Sequence, residues 1–299
     1  MNPSLLPVQS RIVDIAQPRP LWRIYAGMLL HRHGKPANDD NAVVIYRQRG
    51  VQARASEVAA YRQLCGECPP GRMPPIYPHV LATPLQLNLL DSDDFPHSLP
   101  GLVHLGQRVE WHRPLASDDF IDIECRMNPA EEHERGVVYR LDTDVRRDGE
   151  LAWREEISFL KPDPEKRARP ARRSRDDASH FAPLLHMQFP DDAGRRYARV
   201  SGDWNPIHLW QFTSKRFGFK RPIAHGMFTL ARCLAVLEAR GIDLIGKRID
   251  AQFRAPVMLP AFTNFSLSDR RPDGHFALTD SKKGRILLEG QVTALTSEQ

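Results

Sequence analysis

The chain repeats itself, and the repeat limits what it can fold into. Residues 74–90, PPIYPHVLATPLQLNLL, and residues 221–237, RPIAHGMFTLARCLAVL, each set Pro-Ile ahead of a His and an apolar run of helical length. Residues 108–127, RVEWHRPLASDDFIDIECRM, match residues 250–269, DAQFRAPVMLPAFTNFSLSD, through Arg-Pro-Leu against Ala-Pro-Val. Residues 148–160, DGELAWREEISFL, parallel residues 283–295, KGRILLEGQVTAL, both alternating after a turn. Three matches in the same order read as an internal duplication, so one supersecondary unit has to fold twice.

Periodicity describes that unit. Residues 225–240, HGMFTLARCLAVLEAR, carry Met227, Leu230, Ala231, Leu234 and Leu237 on one face, and Phe228, Cys233 and Val236 widen the stripe almost all round. This is the pattern of a helix buried in a core. The later segments FTNFSLSD and ILLEGQVTAL alternate with period two and are bounded by Asp-Gly and Lys-Gly, the pattern of antiparallel strands. A long apolar helix followed by such strands, twice over, predicts an α+β double hot-dog, each half a curved antiparallel sheet wrapped round a long central helix. Residues 161–180, KPDPEKRARPARRSRDDASH, hold Lys, Arg and Pro with few large apolar groups and read as a basic linker. They divide an N-terminal half, 1–160, from a C-terminal half, 181–299.

Charge and composition narrow the function classes. The net charge is +5 with a pI near 9.1, and much of the excess sits in the linker. No nucleic-acid-binding motif accompanies it, so nucleic acid is not expected as a partner. No apolar run approaches the roughly 18 residues of a membrane span, and the first 20 residues lack the apolar segment of a secretory signal. The expectation is a cytoplasmic chain without a membrane partner. Cys65, Cys68, Cys125 and Cys233 are too few and scattered for a disulfide framework. Cys65 and Cys68 have CxxC spacing, but no second pair completes a zinc site. His31 and His33 read as a solvated helix end.

Residues 201–208, SGDWNPIH, concentrate the proton-handling groups. Asn205 suits an N-cap and Pro206 the first helical position, so a helix is expected from here through IHLWQFTSKRF until Gly218 ends it. His208 then lies in its first turn and Asp203 in the loop before. The positive helix end should favour an ionised Asp203 and a neutral His208. A carboxylate and a neutral imidazole facing one point can hold and polarise a water molecule.

The longer pattern from Tyr197 to Met227, YARVSGDWNPIHLWQFTSKRFGFKRPIAHGM, resembles the signature of the MaoC-like (R)-specific enoyl-CoA hydratases. It departs at Thr213-Ser214, where an Ala-rich turn is usual. The resemblance implies a hot-dog fold, addition of water to trans-2-enoyl thioesters or its removal from (R)-3-hydroxyacyl thioesters, and a catalytic pair at Asp203 and His208. It also implies a backbone N–H at Gly226 that binds the thioester oxygen, with Ser201, Asn205 and His225 shaping the site. No metal or redox cofactor is required. Coenzyme A or an acidic acyl carrier protein enters as part of the substrate, and a homodimer is left open. The N-terminal copy reads VQARASEVAAYRQLCGECPPGRM where a second pair would fall, so it is expected to be catalytically silent and to shape the tunnel for the acyl tail. There His79 takes the place of His225, and Val80 replaces Gly226. Two other functions stay open: a thioesterase, which would release free thiol, and a non-catalytic acyl-thioester binder, which would show no turnover.

Overall fold

The structure, a computed structural model, describes residues 10–29, 43–166, 181–268 and 274–295. β1 (Ser10–Asp14), α1 (Leu21–Leu29), β2 (Val43–Gln52), α2 (Ala55–Cys65) and α3 (Tyr77–Leu90) precede β3 (Val103–Trp111), β4 (Phe120–Met127), β5 (Glu131–His133), β6 (Gly136–Arg147) and β7 (Glu150–Pro162). The second series is β8 (Phe181–Phe189), α4 (Ala193–Ser201), a 3₁₀ turn (Pro206–His208), α5 (Gln211–Arg216), α6 (Gly226–Ala239), β9 (Lys247–Phe253), β10 (Ala261–Ser268), β11 (Phe276–Asp280) and β12 (Ile286–Ala294). No described helix is long and apolar enough to cross a membrane.

The strands form one continuous sheet in the order β1-β2-β4-β6-β7-β3-β9-β12-β11-β10-β8. Read outward from its middle, β3-β7-β6-β4-β2 mirrors β9-β12-β11-β10-β8. The join is antiparallel, from Gly106 opposite Gln252 to Trp111 opposite Lys247. The three matched sequence pairs become α3 and α6, β3–β4 and β9–β10, and β7 and β12. Each half lays its sheet over one long helix, so the molecule is an α+β double hot-dog. Within the first half, Asp148 (φ 53°) and Gly149 (φ 80°) make the tight turn between β6 and β7, a conformation that matches the right-handed twist of the strands.

The apolar stripe of α6 is buried as its periodicity requires: Leu230, Cys233, Leu234 and Leu237 are inaccessible to solvent. Helix α3 does the same with Ala82, Leu85 and Leu89, and both helices belong to one hydrophobic core. β7 runs to Pro162, so the first two residues of the expected linker are strand. Residues 167–180, and with them most of that linker, lie outside the described residues, as do His31 and His33.

The single helix expected after Pro206 is two pieces. The 3₁₀ turn ends at His208, Trp210 is extended (φ −137°, ψ 157°), and α5 starts at Gln211. Side chains have taken the carbonyls that a continuous helix would use: Thr213 Oγ1 donates to Pro206 O (2.6 Å), and Arg195 Nη1 donates to Leu209 O (2.8 Å). Such competition from a short hydroxyl side chain is a common way to break a helix. Gly218, left-handed at φ 85°, follows the end of α5 as expected.

Candidate active site

Helix α4 delivers the SGDWNPIH segment. It closes on Gly202, whose left-handed φ of 74° turns the chain back on itself. Ser201 Oγ donates to Tyr197 O (2.8 Å) and accepts from the Asp203 N–H (3.2 Å). The Asn205 N–H donates to Asp203 Oδ1 (3.1 Å), and Asn205 Oδ1 accepts from the Ile207 N–H (3.3 Å) to cap the 3₁₀ turn. Two short polar residues thus hold the loop on either side of Asp203. Gly194 on α4 packs against the His208 carbonyl so closely that a Cβ would collide with it.

His208 is buried, and its Nδ1 bonds Ile223 O at 2.8 Å. A carbonyl only accepts, so Nδ1 carries the proton and Nε2 keeps its lone pair. The ring stacks on His225, with centroids 3.7 Å apart and planes 27° apart. His225 Nε2 in turn donates to Asp203 O (3.0 Å) and lies 3.7 Å from Asp203 Oδ2, while its buried Nδ1 has no partner among the described residues. Asp203 Oδ1 also accepts from the Tyr25 hydroxyl of α1 at 2.8 Å. The Asp203 side chain stays one-third exposed (34%), which keeps it within reach of a substrate.

Burial and neighbouring groups set the charge states of the pair. Burial, reinforced by neighbouring His225, pushes His208 down to about 3, so its imidazole is neutral at physiological pH. Burial opposes ionisation of Asp203, but His225, His208, the Tyr25 hydroxyl and the Asn205 N–H together hold it below the usual carboxylate range. Burial also lowers His225 in spite of Asp203 nearby. The charge states match the sequence-based expectation, but their cause does not. A three-residue 3₁₀ turn has little dipole, and burial keeps His208 neutral.

Helix α6 begins at Gly226 with His225 as its N-cap. The first N–H groups of a helix have no intrahelical acceptor, so that of Gly226 is available to a ligand. A side chain there would crowd Phe253: a Cβ would lie 2.8 Å from its Cε1, so the ring would have to shift. The other half is built differently. Helix α3 starts at Tyr77 with Pro78 second, which makes His79 its third residue and Val80 its fourth. The expected equivalences of His79 with His225 and of Val80 with Gly226 therefore do not hold. Pro-Ile-x-x-His has one residue more than Pro-Ile-x-His, and Pro78 moves the helix start forward while removing a donor from its first turn.

Sequence reasoning missed a second buried polar cluster, in the N-terminal half. Glu155, inaccessible to solvent, accepts from Gln86 Nε2 (2.7 Å) and Gln107 Nε2 and pairs with His79 Nδ1 (2.8 Å). His104 Nε2 bonds Gln107 Oε1 (3.1 Å). Burial alone would lower His79, but Glu155 and then Asp203 raise it, so the charge of Asp203 reaches across the join between the halves.

Among the described residues, Asp203, His208 and His225 are the one group of three potential metal ligands, with donor atoms within 4.8 Å of one another. Their geometry suits proton transfer better than ligation. Nearly parallel stacked rings aim their in-plane lone pairs side by side, not at one point about 2 Å away. Cys65 and Cys68 gather no third ligand among the described residues; Cys65 is buried and pushed up to about 12 by burial, a poor thiolate.

The chain has relatives among known proteins and solved structures. The sequence profile of the MaoC like domain matches residues 169–283. The 3-hydroxyacyl-thioester dehydratase X of Mycobacterium tuberculosis is 32% identical over 251 residues, spanning 80% of this chain and 85% of that protein. The chain belongs to the MaoC-like dehydratase family. The crystal structure of HtdX from M. tuberculosis superposes on this MaoC-like chain with a TM-score of 0.73 at 30% identity, covering 84% of this chain and 100% of the other. A double hot-dog protein of the same organism, at 14% identity and a TM-score of 0.53 over 82% and 93% of the two chains, shares the fold alone.

Proposed function

We propose that this MaoC-like chain is a hydro-lyase that interconverts trans-2-enoyl thioesters and (R)-3-hydroxyacyl thioesters, with Asp203 and His208 as its catalytic pair. One observation carries the reading: a carboxylate oxygen of Asp203 and a ring nitrogen of His208 lie within 4.8 Å of each other beside the N-terminus of a buried helix, and the bond from His208 Nδ1 to Ile223 O leaves Nε2 its lone pair. Two proton acceptors there can hold one water molecule and orient its oxygen.

In hydration, water held by Asp203 Oδ2 and His208 Nε2 attacks C3 of the enoyl thioester. The pair takes a proton from the water, and a proton is delivered to C2, so one water is added across the double bond. Negative charge that develops on the thioester oxygen meets the Gly226 N–H, already oriented by α6. Ser201 and Asn205 hold the loop, and His225 positions the Asp203 main chain. Dehydration runs the same steps backward.

The surface around the loop supports an anionic carrier for the acyl group. Arg196, Arg199, Lys215, Arg216, Lys220 and Arg221 are exposed and make no ion pair among the described residues. On the sheet, several cations are instead paired across strands, as in Arg47–Glu124, Arg126–Asp142 and Arg154–Asp144. An uncompensated basic rim attracts the phosphates of coenzyme A or an acidic carrier protein.

The test is an absorbance assay of the purified chain against crotonyl- and octenoyl-CoA, with chiral analysis of the product. Loss of enoyl absorbance with an (R)-3-hydroxyacyl product is expected. An (S) product, or free thiol without hydration, overturns the reading.

A further inference from the structure

The N-terminal half hydrogen-bonds to the Asp203 loop through a tyrosine of α1. Tyr25 is almost fully buried, and its hydroxyl donates to Asp203 Oδ1 at 2.8 Å across 178 residues of sequence. The Asn205 N–H donates to the same oxygen (3.1 Å), so Oδ1 has two donors and its lone pairs are spoken for. Oδ2 is differently placed. Its neighbour His225 Nε2 is 3.7 Å away, beyond hydrogen-bond range, and already donates to Asp203 O.

Helix α1 is fixed where it can make this contact. Arg19, just before it, donates its N–H to Asn88 Oδ1 (2.9 Å) and pairs through Nη1 with Asp91 Oδ2 (3.1 Å), both at the end of α3. Leu21 packs over Gly202, the residue before Asp203. Burial, and then the charge of Asp203, raise Tyr25 far above an ordinary phenol, so it is always the donor.

We infer that Tyr25 is a positioning residue of the active site: it locks Oδ1 of Asp203 and leaves Oδ2 as the oxygen that works on water. The inference rests on Asp203 being the working carboxylate. The groups that face or feel Asp203 are Tyr25 on α1, Tyr197 on α4, His208 on the 3₁₀ turn, His225 at the head of α6, His79 on α3 and His104 on β3. His225 and His208 contribute most to holding Asp203 below the usual carboxylate range, and the hydrogen bonds from Tyr25 and Asn205 add to them. A hydrogen bond made to the charged form lowers a carboxyl pKa, so its loss must raise it.

The experiment is the pH profile of kcat/KM for Tyr25→Phe, which keeps the ring packing. The acid limb should move up by about one pH unit, the scale of one hydrogen bond to a charge. At neutral pH kcat should fall about tenfold with KM within about twofold, since orientation and not binding is lost. An unmoved limb with kcat within about twofold overturns the inference. A second measurement needs no Tyr25 variant. With tyrosine labelled at Cζ by carbon-13, one of the six tyrosine resonances should titrate with the acid limb of the wild type and lose that titration in Asp203→Asn. No titrating resonance also overturns it. If Asp203→Asn keeps full activity, the functional reading fails; if it is inactive while Tyr25→Phe is normal, only the role of Tyr25 fails.

Discussion

Asp203 and His208 each commit one side-chain atom to a protein neighbour. Oδ1 of Asp203 and Nδ1 of His208 are bonded to neighbours, while Oδ2 and Nε2 have no hydrogen-bond partner among the described residues. Asp203→Asn keeps the shape but removes the charge, and His208→Gln keeps an amide near the ring position. Each should lower turnover by about 100-fold or more at unchanged melting temperature, the scale of lost acid–base help. The double variant should be little worse than the worse single, because groups that act on one water are not additive. Steady-state rates beside thermal melts decide this; near-normal single variants would reduce the segment to a capped turn. The convergence of Asp203 and His208 could be read from sequence because Asp203, Asn205, Pro206 and His208 are close along the chain. Tyr25 could not, since nothing in LWRIYAGML marks one phenol for a contact 178 residues away.

At the level of elements, the first turn of α6 meets β9 through the Gly226–Phe253 contact. Gly226→Ala brings a methyl within about 3 Å of the Phe253 ring, which must yield or push the helix start aside. Overpacking of this kind costs about 1–3 kcal/mol, and displacing an oxyanion donor by a fraction of a bond length should lower kcat about tenfold. Phe253→Leu in the same chain should restore part of both. Chemical unfolding with rate measurements on the single and double variants checks it, and failure of rescue would mean that Gly226 matters for another reason. Helix α6 was legible because its stripe is wide and regular. The break after His208 was not, because Thr213 and Arg195 cap carbonyls with side chains and propensity alone does not foresee which carbonyls they take.

For the molecule as a whole, two similar halves carry one SGDWNPIH segment. Calorimetry with a non-hydrating acyl-CoA analogue should therefore find about one ligand per chain, and two equivalent sites would contradict the assignment of catalysis to the C-terminal half. The duplication and the double hot-dog were legible because three matched segments fall on corresponding helices and strands. The network of His79, Glu155, Gln86 and Gln107 was not, because its members come from three separate elements and meet only when α3 lies on its sheet.

The join of β3 to β9 makes one sheet from both halves while leaving each half its own sequence. When a symmetric assembly is built from identical copies, every substitution is imposed at both related positions at once. Here a change in the N-terminal half need not be matched at a related position in the C-terminal half, and it bears on the Asp203 loop where it falls near Tyr25 or Leu21. Two halves in one chain can change independently, so the half without an SGDWNPIH segment can be reshaped while that segment stays as it is.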